Sequence, residues 1–447
     1  MHGSPTRGGW DDDGVVETFG QALRRLRGSM SIRELAGQAH CDKTHVSDLE
    51  RGRRAPSART AAALDRALGA GGQLVALVPA PATRRAVLAA AASGATTTDA
   101  RRTGHEPVAR NALHRVRRPA PGEDPLADLR TAVAAPPAWP GDHEPTSDLL
   151  AALAGTAHRC HDRYQAADYT GAAELAALAV RQVEALAADL PVGLDRRALY
   201  RTQAVLYLAA AKLATRTGDH DLAWIAADRG QHAALAADAP ALVATIRRQV
   251  ACVFYDTGRL TDADQVIEAA LDTLLHVGIR DDPDGISARG ALHLLSAMTS
   301  TRRGEQAQAR RQFAAATDQA DALGREDNRL WTAFGPTNVA IHALGAAVTL
   351  DEPTRAVQVA ERIDTRLLPA PLIGRRVRVQ IDLARAHTSL GEDATATVHI
   401  LDVAHRAPQM LRYDTTARTA FTTLLGRARG STVSVLRAAA EQAGIAA

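Results

Sequence analysis

Aromatic residues make up only 3% of the 447-residue chain, and lysine occurs just twice, at Lys43 and Lys212. Runs rich in Val, Ile, Tyr and Phe, the residues that suit a pleated, half-buried surface, are nearly absent. Alanine and leucine supply most of the 46% apolar content, and both are strong helix formers. The chain is therefore expected to be all-α. Its three cysteines, Cys41, Cys160 and Cys252, stand far apart with no CxxC or zinc-finger spacing. That pattern excludes a disulfide framework and predicts a reduced, cytoplasmic protein. No apolar run approaches the ~20 residues a membrane span needs, so no membrane partner is expected. The opening MHGSPTRGGWDDDG lacks the apolar core of a secretory leader. The pair Arg84-Arg85 before Ala86-Val87-Leu88 has a twin-arginine look but lies far inside the chain. Net charge is only +3, so any affinity for nucleic acid must come from a local patch. The phosphate loop GxxxxGK[ST], the GxSxG elbow and HExxH are also missing. The chain is read as having no enzymatic activity and no cofactor.

What is there begins at residue 18. Phe19, Leu23 and Leu26 mark an amphipathic first helix. Ser31-Ile32-Arg33-Glu34 has capping-box spacing and starts a second helix reaching about Ala39. After a short turn at His40-Cys41, Asp42 is placed to cap a third helix. Thr60, Ala63, Leu64, Ala67 and Leu68 mark a further one ending at Gly69. Between them the chain leaves through Arg51, Arg53 and Arg54. From residue 15 to 66 there are ten Arg/Lys against six Asp/Glu, a local +4.

Helix, helix, tight turn, helix, arginine loop, helix is the plan of a helix-turn-helix domain. Residues 18–77 resemble the lambda-repressor-like (XRE-type) family through Leu35-Ala36, Val46 and Leu49-Glu50-Arg51-Gly52-Arg53-Arg54-Ala55-Pro56-Ser57. His40 departs from that family, which usually has glycine in the turn. The resemblance implies that Lys43, Thr44 and His45, with Ser47 and Asp48 one turn on, face base edges in the major groove of double-stranded DNA. Lys43 could donate to guanine, Thr44 touch a thymine methyl and Asp48 accept from cytosine. Arg51, Arg53 and Arg54 would hold the phosphate backbone without reading sequence. Val46 and Leu49 would face the core.

Residues 79–145 are broken by Pro79-Ala80-Pro81, Pro119-Ala120-Pro121 and Pro136-Pro137, and Arg84 to Arg118 holds eight arginines. The segment is read as a linker, a tether in preference to a basic arm, with a short helix at Leu126–Ala134.

From residue 146 a helix pair recurs six times. Turns are expected at Ala167-Asp168-Tyr169, Gly218-Asp219-His220, Gly258-Arg259-Leu260, Gly304-Glu305-Gln306, Asp351-Glu352-Pro353 and Gly391-Glu392-Asp393. Five residues after the start of each stands an alanine: 172, 223, 263, 309, 356 and 396. Seven before each stands Cys160, Ala211, Ala251, Ala297, Leu344 or Ala384. Small residues there let antiparallel helices approach closely and stack on the next pair. Cys160, in His158-Arg159-Cys160-His161, is thereby read as core and not as a metal ligand. The pattern resembles tetratricopeptide repeats over residues 146–429, with spacings of 40 to 51 in place of a strict 34. Residues 1–17 are read as a disordered N-terminus, 18–78 as the DNA-binding domain and 430–447 as a capping helix. The whole plan resembles actinobacterial helix-turn-helix/tetratricopeptide regulators. More distantly it is similar to Gram-positive quorum-sensing regulators that bind a short peptide.

In such repeats the first helix of each pair lines the concave face. The alignment puts Tyr164, Lys212, Arg216, Arg248, Tyr255, Asp256, Arg302, Asn338, Arg378 and Arg385 there. Six of these are cationic and one acidic, which favours an anionic effector such as a peptide carboxylate or another small molecule. Asn338 and Arg378 are expected to anchor it. The functional expectation is a homodimeric, sequence-specific transcription regulator that senses a ligand. The competing expectation is a repeat scaffold for a protein partner, with DNA binding secondary.

Overall fold

The computed structural model describes residues 18–39, 41–51, 58–77, 126–135, 147–188, 193–279 and 281–445, with Asp124 and Pro56. Every regular element among the described residues is helical. The chain divides into two compact units, Met1–Asn111 and Ala112–Ala447.

The first unit holds α1 (Phe19–Arg27), α2 (Ile32–Gln38), α3 (Lys43–Glu50), α4 (Ala58–Leu68) and α5 (Gln73–Ala76). Polar caps set the starts. Thr18 and Gln21 form a full capping box on α1, and Ser31 accepts from the Glu34 amide at 3.1 Å. Asp42 accepts from the Thr44 amide at 2.6 Å. Leu23, Leu35, Val46, Leu49, Leu64 and Leu74 make the core. Helix α5 was not foreseen as a separate element. The Asp65 carboxylate ties it down by accepting from the Gly72 and Leu74 amides at 2.7 and 2.8 Å.

The second unit opens with α6 (Ala127–Ala134), near the expected short helix. It is docked on the repeats: Leu126, Leu129 and Val133 are buried, and Arg130 bridges Asp124 and Asp219. Six helix pairs follow: α7 (Ser147–Gln165) with α8 (Tyr169–Ala188), α9 (Arg196–Thr217) with α10 (His220–Ala236), and α11 (Pro240–Asp256) with α12 (Leu260–His276). Next come α13 (Pro283–Arg302) with α14 (Gln306–Leu323), α15 (Pro336–Thr349) with α16 (Pro353–Ala360), and α17 (Ile373–Leu390) with α18 (Asp393–Arg406). All six breaks fall at the expected turns, and each first turn residue has a positive φ, four of them glycine. The six alanines and the six small or apolar residues seven positions before the turns are all buried. Helices α19 (Pro408–Tyr413), α20 (Thr415–Arg427) and α21 (Ser431–Gln442) complete the unit.

The array does not stay open. The Tyr169 and Thr170 amides, at the first pair's turn, donate to Gln409 Oε1 at 3.0 and 3.1 Å. Gly374 of α17 lies so close to the Gln165 carbonyl that a Cβ there would sit 3.2 Å from it. The first and last helix pairs therefore touch. Residues 324–335, between α14 and α15, also reach back to the first pairs. Leu330, Trp331 and Ala333 each adopt a positive φ there, a conformation that costs non-glycine residues about 1–3 kcal/mol each. Partners on other helices hold it in place. The Trp331 ring stacks on His161 with centroids 4.0 Å apart. Lys212 Nζ donates to the Trp331 carbonyl at 3.0 Å, and the Gln165 and Asn328 amides pair reciprocally at 2.7 Å.

Candidate functional site

Helix α3 presents Lys43 and Thr44 to solvent in its first turn, while Val46 and Leu49 are fully buried. His45, Ser47 and Asp48 are half-buried and Arg51 is exposed just past the helix end. Arg53, Arg54 and His40 lie outside the described residues. The helix is clamped at its C-terminal end by contacts the sequence reading did not identify. The Glu50 side chain is 4% exposed and accepts from Arg27 Nε and Nη2 at 2.5 and 3.2 Å. A Cβ on Gly20 of α1 would stand 2.7 Å from the Leu49 carbonyl oxygen and 2.8 Å from that of Glu50. Gly20→Ala must therefore push α1 off α3. We expect a loss of about 1–3 kcal/mol for this overpacking, read as an earlier urea transition of the N-terminal unit. An unchanged midpoint would show that the two helices separate without penalty.

The inner face of the repeats gathers side chains from α7, α9, α11, α13, α15 and α17. It brings together Lys212, Arg248, Arg302, Tyr255, Asn338 and Arg378 of the expected ligand residues. Several are engaged with protein partners. Arg378 meets Asp414 and Asp382. Arg216 Nη1 lies 3.2 Å from the same Asp414. The Arg302 guanidinium lies 5.0 Å over the Tyr255 ring and donates to the Tyr255 carbonyl at 2.6 Å. Arg248 Nε donates to the Ala291 carbonyl at 3.1 Å, and Arg385 donates to Ser389 Oγ at 3.1 Å on its own helix. Lys212 and Asn338 are nearly solvent-free, at 6% and 1%.

Sequence reasoning missed Arg375, Asp382, His342 and Asp414. Arg375, Arg378 and Asp382 fall at i, i+3 and i+7, one face of α17. Burial and the neighbouring charges of Arg248 and Arg375 bring the Lys212 ammonium down to about 7. Burial first, then Arg248, lowers even Arg375 to about 10. Burial raises Asp382 to about 7 against the pull of Arg378. His342, half-buried and facing Arg375 and Arg248, is lowered to about 3, desolvation first, and stays neutral. Cys160 is fully buried at its packing position. Among the described residues no cluster of His, Cys, Asp and Glu is arranged to hold a metal.

The first unit thus holds a short helix packed through Val46 and Leu49, with Lys43 and Thr44 of its first turn exposed. Residues 18–78 match the family described as Helix-turn-helix domain. No curated protein and no solved structure matches the chain. Among the described residues no helix is long and apolar enough to cross a membrane.

Proposed function

We propose that this protein is a homodimeric, sequence-specific transcription regulator that reads double-stranded DNA through α3 and takes a small anionic effector on the inner face of its repeats. The observation that carries the DNA reading is the division of α3 into a buried side, Val46 and Leu49, and a free first turn, Lys43 and Thr44. A recognition helix needs both, because base edges are reached only by the first turn of a helix that cannot roll. Two copies are part of the reading because one such domain buries only ~600–1,000 Å² on DNA, too little for tight binding alone. Inverted half-sites about 10 bp apart, or a multiple, are the matching operator geometry.

Gel-shift titrations test the assignment. Lys43→Ala or Thr44→Ala should cost about 1–3 kcal/mol on the operator and little on random DNA. Arg51→Ala should weaken both DNAs alike and flatten the salt dependence by roughly one unit of slope. Equal losses on both DNAs for all three variants would remove α3 as the reading helix.

A further inference from the structure

The charges of the inner face divide unevenly. Arg216 and Arg378 share Asp414, and Arg378 also faces Asp382. Asp256 stands near Arg216 and Arg302. On the other side are Lys212 of α9, Arg248 of α11 and Arg375 of α17. These three act on one another's charge. Among the described residues, no carboxylate lies within ion-pair distance of any of them. Lys212 and Arg248 each reach only a backbone carbonyl, and the Arg375 guanidinium has no hydrogen-bond partner among the described residues. Three cations held together without a counter-charge destabilise the empty protein, since each raises the cost of charging the others.

Two acceptors beside them are equally unsatisfied. Asn338 Oδ1 and Asp382 Oδ2 are buried, with no hydrogen-bond partner. Asp382 Oδ2 points at Gly345 of α15, 3.7 Å from where a Cβ would stand. Asn338, His342 and Gly345 fall at i, i+4 and i+7, along one face of α15. That face is turned to the cations, because the charges of Arg375, Arg248 and Arg378 all reach His342. Buried acceptors without donors cost roughly 1–3 kcal/mol each and call for an explanation.

We propose that Lys212, Arg248 and Arg375 bind the phosphate group of a small molecule, and that Asn338 Oδ1 and Asp382 Oδ2 accept hydrogen bonds from donors on the same molecule. This rests on the effector reading above and gives the effector a chemistry. The three cations come from three different helices, α9, α11 and α17. A tetrahedral dianion can receive donors from all of them, whereas a carboxylate offers two oxygens in one plane. Guanidinium forks match phosphate oxygens two at a time, and the ammonium adds a point charge. Phosphate monoesters and diphosphates share this chemistry.

Proton balance supports the site. The groups facing Lys212 are His161 of α7, Arg248 and Cys252 of α11, Arg375 of α17 and the Trp331 carbonyl. Those facing Asp382 are Arg375 and Arg378 of its own helix and Asp414. Near neutrality, raising the pH discharges Lys212 and charges Asp382. Both changes oppose an anion, so the protein's own contribution to affinity should fall between pH 6 and pH 8.

Calorimetric titration of the full-length protein, at fixed ionic strength, tests the proposal with pyrophosphate, malonate and acetate as probes. Pyrophosphate should bind saturably and at least tenfold more tightly than malonate, with acetate weaker still. Arg375→Gln and Lys212→Met should each lose at least tenfold in pyrophosphate affinity. Arg375→Gln should also melt higher than the wild type without anion, because a half-buried charge without a counter-charge has been removed, and should gain nothing from pyrophosphate. Arg51→Ala, at the DNA-reading end, should bind pyrophosphate as the wild type does. No binding by the wild type, equal affinity for malonate, unchanged affinity in both inner-face variants, or a loss in Arg51→Ala would each overturn the site. No DNA enters this measurement, so its failure leaves the DNA-reading assignment standing. A gel shift that ignores pyrophosphate would count against the switch and not against the site.

Discussion

Asp414→Ala should lower the unfolding free energy of the repeat unit by about 3–5 kcal/mol, the range for removing one partner of a buried ion pair. The carboxylate has three duties. Its Oδ1 accepts from the Ala417 amide at 3.1 Å and caps α20. Its Oδ2 receives Arg216 of α9 at 3.2 Å and Arg378 of α17. It therefore joins the second helix pair to the last, across the closure of the array. Without it two arginines are left at low exposure, 23% for Arg378 and 33% for Arg216, with only Asp382 and Asp256 nearby. Asp414→Asn keeps the cap and the volume, so it should recover only the smaller, capping part of the loss. The effect has a pH signature. Burial alone would raise the Asp414 carboxyl, but Arg378 and Arg216 outweigh it and hold it below the ordinary carboxylate value of 3.8. An acid whose folded-state value is depressed contributes stability that is complete above the ordinary value and is lost as pH falls through the depressed one. The gap between wild type and Asp414→Ala should close in strong acid, as pH falls through the depressed value. A variant as stable as the wild type at pH 7 would show that the closure does not depend on this carboxylate.

The two parts of that network differ in how far they could be read beforehand. The helix pairs were legible because turn and packing chemistry is local and repeated. Gly218, Gly258, Gly304 and Gly391 supply the left-handed turn residue at no steric cost. Alanines five residues later are buried because helices at that point leave no room for more. The same alignment put Lys212, Arg248, Arg302 and Arg378 on the inner face. It could not say which cations would find acids, because Asp414 comes from beyond the sixth pair and Arg375 lies one turn before the aligned position. Closure of the array depends on Gln409, Gly374 and Asp414, and none of these carries a repeat signature. The crossing segment was invisible for another reason. Its positive φ values fall on Leu330, Trp331 and Ala333, residues that give no turn signal. In the first unit the caps Ser31 and Asp42 were read correctly because N-capping is a local rule. The Arg27–Glu50 pair spans 23 positions and left no such mark.

Leu49→Ala should abolish binding to every DNA, operator and random alike. Leu49 is 1% exposed in a core built by Leu23, Leu35, Val46, Leu64 and Leu74. Truncating a buried leucine costs about 2–5 kcal/mol. A helical domain of this size buries a small core and has only about 3–5 kcal/mol to lose. The substitution therefore brings the domain to the edge of unfolding at 25 °C, and α3 loses the support that keeps its first turn in register. The outcome differs in kind from Lys43→Ala, which spares the fold and removes only discrimination. It is also confined, because the core of residues 19–74 shares no member with that of the repeats. Calorimetry on the full-length chain should show the transition of the N-terminal unit lost or shifted far down while the repeat unit melts as before. Pyrophosphate should still bind the variant, since Lys212, Arg248 and Arg375 all belong to the repeat unit. If Leu49→Ala binds the operator within tenfold of the wild type, α3 is not held by its buried face. Reading of DNA through a rigid helix would then have to be abandoned.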